Sequence, residues 1–160
     1  MLKQRIITAI FLALGFVGVL FFVPSQFFAL FMAVVVAVGA WEWAGLSGFS
    51  STKQRAAYVV TSLALLWGTY QYMGMGHQLS DEAIRTILMA GCSFWALALL
   101  LVQGYPSSAI LWGARFSRAA MGLIVLLSAW VSIVYVHAHE QGAWLVLLLI
   151  TIVAAADSGG

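Results

Sequence analysis

Asp157 closes an apolar run, Ala154-Ala155-Ala156, and is followed by Ser158-Gly159-Gly160. A carboxylate at hydrocarbon depth costs roughly 2.5 to 3.5 kcal/mol on insertion scales, so an acid placed there is a candidate for holding a cation or handling protons. Fourteen residues, 143–156, separate it from the outer start of its apolar segment, about 21 Å of helical rise. Glu42 repeats the arrangement: it follows 15 apolar or small residues counted from Phe27, about 22 Å of helix. Against a hydrocarbon core of about 30 Å both acids fall short of the inner headgroups, and both are expected to line one polar cavity open to the cytoplasm. A plainer alternative stays open for each. Trp41 and Trp43 mark the headgroup belt, where a carboxylate reaches water, and Ser158-Gly159-Gly160 reads as a helix exit turn.

Other residues with chemical potential carry less. His137, His139 and Glu140 resemble metal ligands by type, but residues two apart do not share a helix face, and an interfacial cluster is expected instead. The stretch from Tyr105 to Arg118 mixes Ile110, Leu111, Trp112 and Phe116 with Arg115 and Arg118, which suits either a short surface helix touching anionic lipid or an ordinary loop. Cys92 has no second thiol to pair with, and is expected to pack as a small hydrophobe.

The elements that must position Asp157 and Glu42 follow from composition. With 64% hydrophobic and 8% charged residues and a mean hydropathy of +1.04, the chain is an integral membrane protein, expected to be all-α. Seven basic residues, scattered, do not suggest a nucleic-acid partner. Polar breaks mark six apolar segments, 6–23, 27–46, 56–73, 86–102, 119–136 and 143–160, each of roughly spanning length. The third is the weakest, because it contains Thr61, Ser62, Thr69 and Gln71. No barrel alternation is visible, and a helical bundle is the other way to satisfy every backbone group in lipid. The expectation is therefore a polytopic transmembrane helical bundle forming one membrane domain over residues 1–160, without repeat or linker.

Six of the seven basic residues, Lys3, Arg5, Lys53, Arg55, Arg115 and Arg118, fall on one side of this threading and only Arg85 on the other. The positive-inside rule makes that side, with the amino terminus, cytoplasmic. The basic start and Val23-Pro24-Ser25 invite a signal-peptide reading, but an apolar run of 18 residues, 6–23, without an Ala-x-Ala site favours a span. Ala29, Ala33 and Ala37 form a small-residue stripe that suits close helix packing, either in a homodimer or within one subunit.

Several segments in order resemble one family. Met1-Leu2-Lys3-Gln4-Arg5-Ile6-Ile7-Thr8-Ala9, Ala40-Trp41-Glu42-Trp43-Ala44-Gly45-Leu46-Ser47-Gly48, Tyr105-Pro106 and Ala156-Asp157-Ser158-Gly159 are similar to bacterial phosphatidate cytidylyltransferases, also called CDP-diacylglycerol synthases. The resemblance implies a multi-pass enzyme of the bacterial inner membrane that joins CTP to phosphatidate, releases pyrophosphate and forms CDP-diacylglycerol, with magnesium as cofactor. It implies that Asp157 is a catalytic acid and metal ligand, and that Ser158, Gly159 and Glu42 belong to the substrate site. Two anions that must meet need cations between them, which suits a carboxylate-held metal.

Two departures qualify what is carried over. Gly160 stands where the family usually has alanine followed by an aromatic residue, and the family's carboxy-terminal signature of basic residues, glycines and paired aspartates is not among these residues. No basic residue follows Arg118, so the chain is expected to be the amino-terminal part of such an enzyme, inactive alone. The residues themselves leave three other readings open: a small ion- or proton-handling membrane protein using Asp157 and Glu42, a scaffolding bundle, and a CTP-dependent lipid-alcohol kinase.

Overall fold

The computed structural model describes residues 2–75 and 79–159, with the side chains of residues 2, 3, 5, 6, 9 and 158 outside the description. It is 85% helix, with no strand among the described residues. The helices are α1 (Leu2–Phe22), α2 (Ser25–Leu46), α3 (Thr52–Tyr72), α4 (Asp81–Gln103), the single turn α5 (Ala109–Trp112), α6 (Arg115–His137) and α7 (Gly142–Gly159). This all-helical, membrane-bundle architecture is the expected one, and the six apolar segments correspond to α1, α2, α3, α4, α6 and α7.

Several helices begin earlier than their apolar runs. α4 starts at Asp81 rather than Thr86 because Ser80 caps it, accepting the N–H of Ala83 at 3.3 Å, and Asp81 and Glu82 occupy its first turn. Acids there complement the positive end of the helix dipole. α6 likewise starts at Arg115, so Arg115 and Arg118 are helical rather than in a loop. Polar first turns are helical without being apolar, and hydropathy marks only the part that lipid touches.

Among the described residues, α2, α4 and α6 are long and apolar enough to cross a bilayer, while Ile10–Phe22 and Gly142–Asp157 are apolar but shorter. α3 does not meet that standard, as its polar residues foretold. Its hydroxyls turn inward on the helix: Thr61 donates to Ala57 O at 2.9 Å and Ser62 to Tyr58 O at 2.8 Å, which makes such residues tolerable in lipid. Large apolar side chains such as Phe11, Leu30, Val38, Trp67 and Leu99 face outward. On a soluble protein that surface would aggregate; in a bilayer it is the solvated face. Cys92 is on it too. It does not pack inside as expected, because the α4 span is scarcely buried within the chain (6%).

The chain forms two compact units, one of residues Met1–Leu30 with Ile133–Gly160 and one of residues Phe31–Ser132. In the first, α1 packs against α7, and Phe21 meets the Trp144 ring edge-on with centroids 4.8 Å apart. Its core holds Leu20, Phe28, Ala29, Val134 and Val146 around a buried histidine, His137. In the second, Ala40, Ala44, Tyr58 and Ala119 form a buried cluster, with Trp43, Phe49, Leu123 and Leu126 packed against it. Ala40 and Ala44 are fully buried, which lets α2 lie close to its neighbours through small side chains.

Candidate functional site

Asp157 and Ser158 lie in the last turn of α7 with Gly159, in the first unit. The Asp157 carboxylate is exposed and has no hydrogen bond or ion pair with any described residue; the side chain of Ser158 lies outside the described residues. Glu42 is in the second unit, on α2, also exposed and also unpaired among the described residues. α7 begins at Gly142 and α2 at Ser25, so about 22 Å and 25 Å of helix precede the two acids.

The two tryptophans that flank Glu42 make different contacts. Trp43 is half-buried and donates its indole Nε1–H to the backbone carbonyl of Arg118 at 2.9 Å. Tyr58 donates its hydroxyl to the carbonyl of Ala119, also at 2.9 Å. These carbonyls belong to the first turns of α6, and the two rings tie α6 to α2 and α3. Trp43 thus points inward as a packing residue, while Trp41, also half-buried, lies under the Arg55 guanidinium, 5.9 Å from the ring centroid. Gly122 makes the close approach possible, since a Cβ there would overlap the Trp43 indole.

At the carboxy-terminal end of α2, three arginines gather round residues 45–49. Arg55 donates Nε–H to the Phe49 carbonyl at 2.9 Å. Arg118 donates Nη1–H to the Leu46 carbonyl at 3.4 Å. Arg115 lies 5.7 Å from the Phe49 ring centroid. In the sequence these arginines orient the chain, and Arg115 and Arg118 also suit a surface helix touching anionic lipid. Nothing in their spacing, at positions 55, 115 and 118, signals that they meet.

His137 belongs to no group of potential metal ligands among the described residues. It is buried, stacked on Phe28 with centroids 3.9 Å apart. Its Nε2 is 3.0 Å from the Leu20 carbonyl and its Nδ1 3.1 Å from Ser25 Oγ. A carbonyl can only accept, so Nε2 carries a proton, and in the neutral ring Nδ1 accepts from the serine hydroxyl. His139 is exposed with Nδ1 2.9 Å from the Tyr135 carbonyl, and Glu140 is exposed. Among the described residues no group of three or more His, Cys, Asp or Glu side chains could hold a metal ion. With one unpaired carboxylate at Asp157, the residues present do not by themselves make a magnesium site.

The Tyr105–Arg118 stretch contains the single turn α5, which presents Ile110 and Leu111 to the outside, and the first turn of α6. Trp112 turns the other way, lining an apolar recess of about 160 Å3 with Ala98, Leu101, Val102 and Met121.

A helical membrane bundle with an acid in the last turn of an apolar helix defines a class, that of multi-pass membrane proteins. Comparison with known proteins narrows it. The cytidylyltransferase family model matches residues 3–160, and the chain belongs to that family. It is 37% identical over 159 residues to the phosphatidate cytidylyltransferase of Pseudomonas aeruginosa, covering 99% of this chain and 56% of that protein. It is 31% identical over 176 aligned positions to the phosphatidate cytidylyltransferase of Haemophilus influenzae, covering 99% of this chain and 59% of that protein. The chain therefore spans little more than half the length of these curated relatives. No solved structure shows a significant match.

Proposed function

We propose that this chain is the amino-terminal part of an enzyme that transfers a cytidylyl group from CTP to phosphatidate, giving CDP-diacylglycerol and pyrophosphate for phospholipid synthesis. The observation that carries the reading is the family match over residues 3–160, joined to relatives that bear that activity in their names. In the reaction a phosphatidate oxygen attacks the α-phosphorus of CTP and the bond to the β-phosphate oxygen breaks. Soluble CTP enters from water and the lipid enters sideways from a leaflet, so the reacting phosphates meet at helix ends. Asp157 stands at such an end, unpaired and accessible. Its carboxylate, beside Ser158 and Gly159, is the catalytic acid of this reading, and Glu42 belongs to the substrate site.

Magnesium is the proposed cofactor, with Asp157 as one of its ligands. The membrane is the bacterial inner membrane, with Glu42 and Asp157 toward the cytoplasm, as the distribution of basic residues supports. A homodimer is the proposed assembly, through the α2 stripe of Ala29, Ala33 and Ala37, of which Ala29 is buried within the chain while Ala33 and Ala37 are half-buried. The test is conversion of labelled CTP and phosphatidate to CDP-diacylglycerol by the product of the complete coding region, alongside the 160-residue chain. Product from the first and none from the second is expected. Absence of product from the complete protein, under conditions where the Pseudomonas aeruginosa relative is active, would contradict the assignment.

A further inference from the structure

We infer that Arg55, Arg115 and Arg118 form a phosphate-binding site around the turn that follows α2. The position of a Cβ on Gly48 lies 3.7 Å from Arg118 Nη2 and 3.8 Å from Arg115 Nε, so both guanidinium groups flank the same glycine. Gly48 has φ +95°, in the region that favours glycine, and it leaves the space between those groups free of a side chain. Arg55 reaches the same turn from the other side, held by the Phe49 carbonyl and lying within 3.2 Å of where a Cβ on Gly45 would be.

The positive charge here is uncompensated. None of the three arginines makes an ion pair with a described carboxylate. Arg115 and Arg118 lie at the start of α6 and Arg55 in the first turn of α3, and neither helix has an acid in its first turn. Cations at helix amino termini repel the dipole and the unpaired N–H groups found there. α4 shows the usual solution, Asp81 and Glu82 in the first turn. α6 begins on arginine and α3 carries Lys53 and Arg55 in its first turn, so their convergence on one turn makes a region that an anion would relieve.

Two polar atoms in this region are buried without a partner. Ser47, between Leu46 and Gly48, is completely buried and its hydroxyl has no partner; the Nε–H of Arg118 is likewise buried without an acceptor. Buried polar groups are otherwise almost always satisfied. The guanidinium forks of Arg115, which is exposed, and Arg118, which is half-buried, match phosphate geometry. Beside the cluster, Phe116 packs edge-on against Phe49 with centroids 6.3 Å apart, and Ile110, Leu111 and Phe116 are strongly exposed. Apolar side chains next to arginines are what a membrane surface accepts.

The ligand chemistry is thus a phosphate group with free oxygens, carried by a lipid headgroup or by a soluble nucleotide or phosphate. For the identity of that substrate this inference rests on the cytidylyltransferase reading. The test is equilibrium binding to the 160-residue chain in phosphatidylcholine nanodiscs, with separate titrations of dioctanoyl-phosphatidate, CTP and inorganic phosphate, repeated for R115Q, R118Q and the double variant. Thermal melting of each variant checks that it is folded. Saturable binding is expected in at least one arm, weakened about tenfold by R115Q, the loss typical of one charge-assisted hydrogen bond, and further in the double variant. Binding of phosphatidate alone makes the ligand lipid-borne; binding of CTP or phosphate makes it soluble. No saturable binding in any arm, or equal affinity in the folded double variant, would overturn the site. Because no turnover is measured, CDP-diacylglycerol formation by the complete protein with no arginine-dependent binding sinks this site alone, and the converse result sinks only the enzymatic reading.

Discussion

The indole of Trp43 donates its N–H to the main-chain carbonyl of Arg118, 75 positions away and 2.9 Å distant. That bond fixes the start of α6 against α2, beside the turn at which Arg55, Arg115 and Arg118 gather. Its acceptor is backbone, so the arginine side chain is left for other work.

Gly122→Ala should destabilise the chain by about 1–3 kcal/mol, the usual cost of overpacking, since the added methyl meets the Trp43 indole. Trp43→Phe should cost about 1 kcal/mol for the lost hydrogen bond. With the indole N–H gone, the two changes should be less than additive. Equilibrium unfolding in mixed detergent micelles measures all three, and a fully additive double variant would show that Gly122 does not act through Trp43.

His137 carries two interhelical hydrogen bonds and a stacked ring, while Ser25 carries one of those bonds. With each bond worth about 0.5–1.5 kcal/mol, His137→Ala should lower stability by about 2 kcal/mol and Ser25→Ala by under half of that. The same unfolding measurement checks the order; equal effects would show that the bond to Leu20 contributes nothing.

Topology gives a sharper outcome. With Cys92 replaced by alanine, a cysteine at Ser50 should resist a membrane-impermeant maleimide in intact cells and label only after permeabilisation. A cysteine at Gln141, exposed in the turn before α7, should label at once. The reverse pattern would invert the chain and move both acids to the outer face.

Much of the fold is visible in the sequence, because in lipid a helix is announced by its apolar length and ended by polar breaks. The weakness of α3 is visible too, in Thr61, Ser62, Thr69 and Gln71. What is hidden is the direction side chains take. Tryptophan suits a headgroup belt and a packed contact equally well, so the sequence does not show that Trp43 reaches the Arg118 carbonyl. His137 pairs by type with its neighbour His139, yet its partners, Ser25 and Leu20, are more than a hundred residues away. The three arginines look like topology markers for the same reason: only the fold brings residue 55 and residues 115 and 118 to one turn. Asp157 is legible as an acid at a helix end, and its partners are not among the described residues.

The central claim is that Asp157 serves cytidylyl transfer, and the most direct measurement is the rate of CDP-diacylglycerol formation by the complete enzyme and its Asp157→Asn variant. The carboxylate is exposed and unpaired, so the variant should fold and melt as the native protein does. Its turnover should fall by about a hundredfold or more, the scale on which a lost electrostatic group in a phosphoryl-transfer site registers. A folded variant with native turnover would contradict the account.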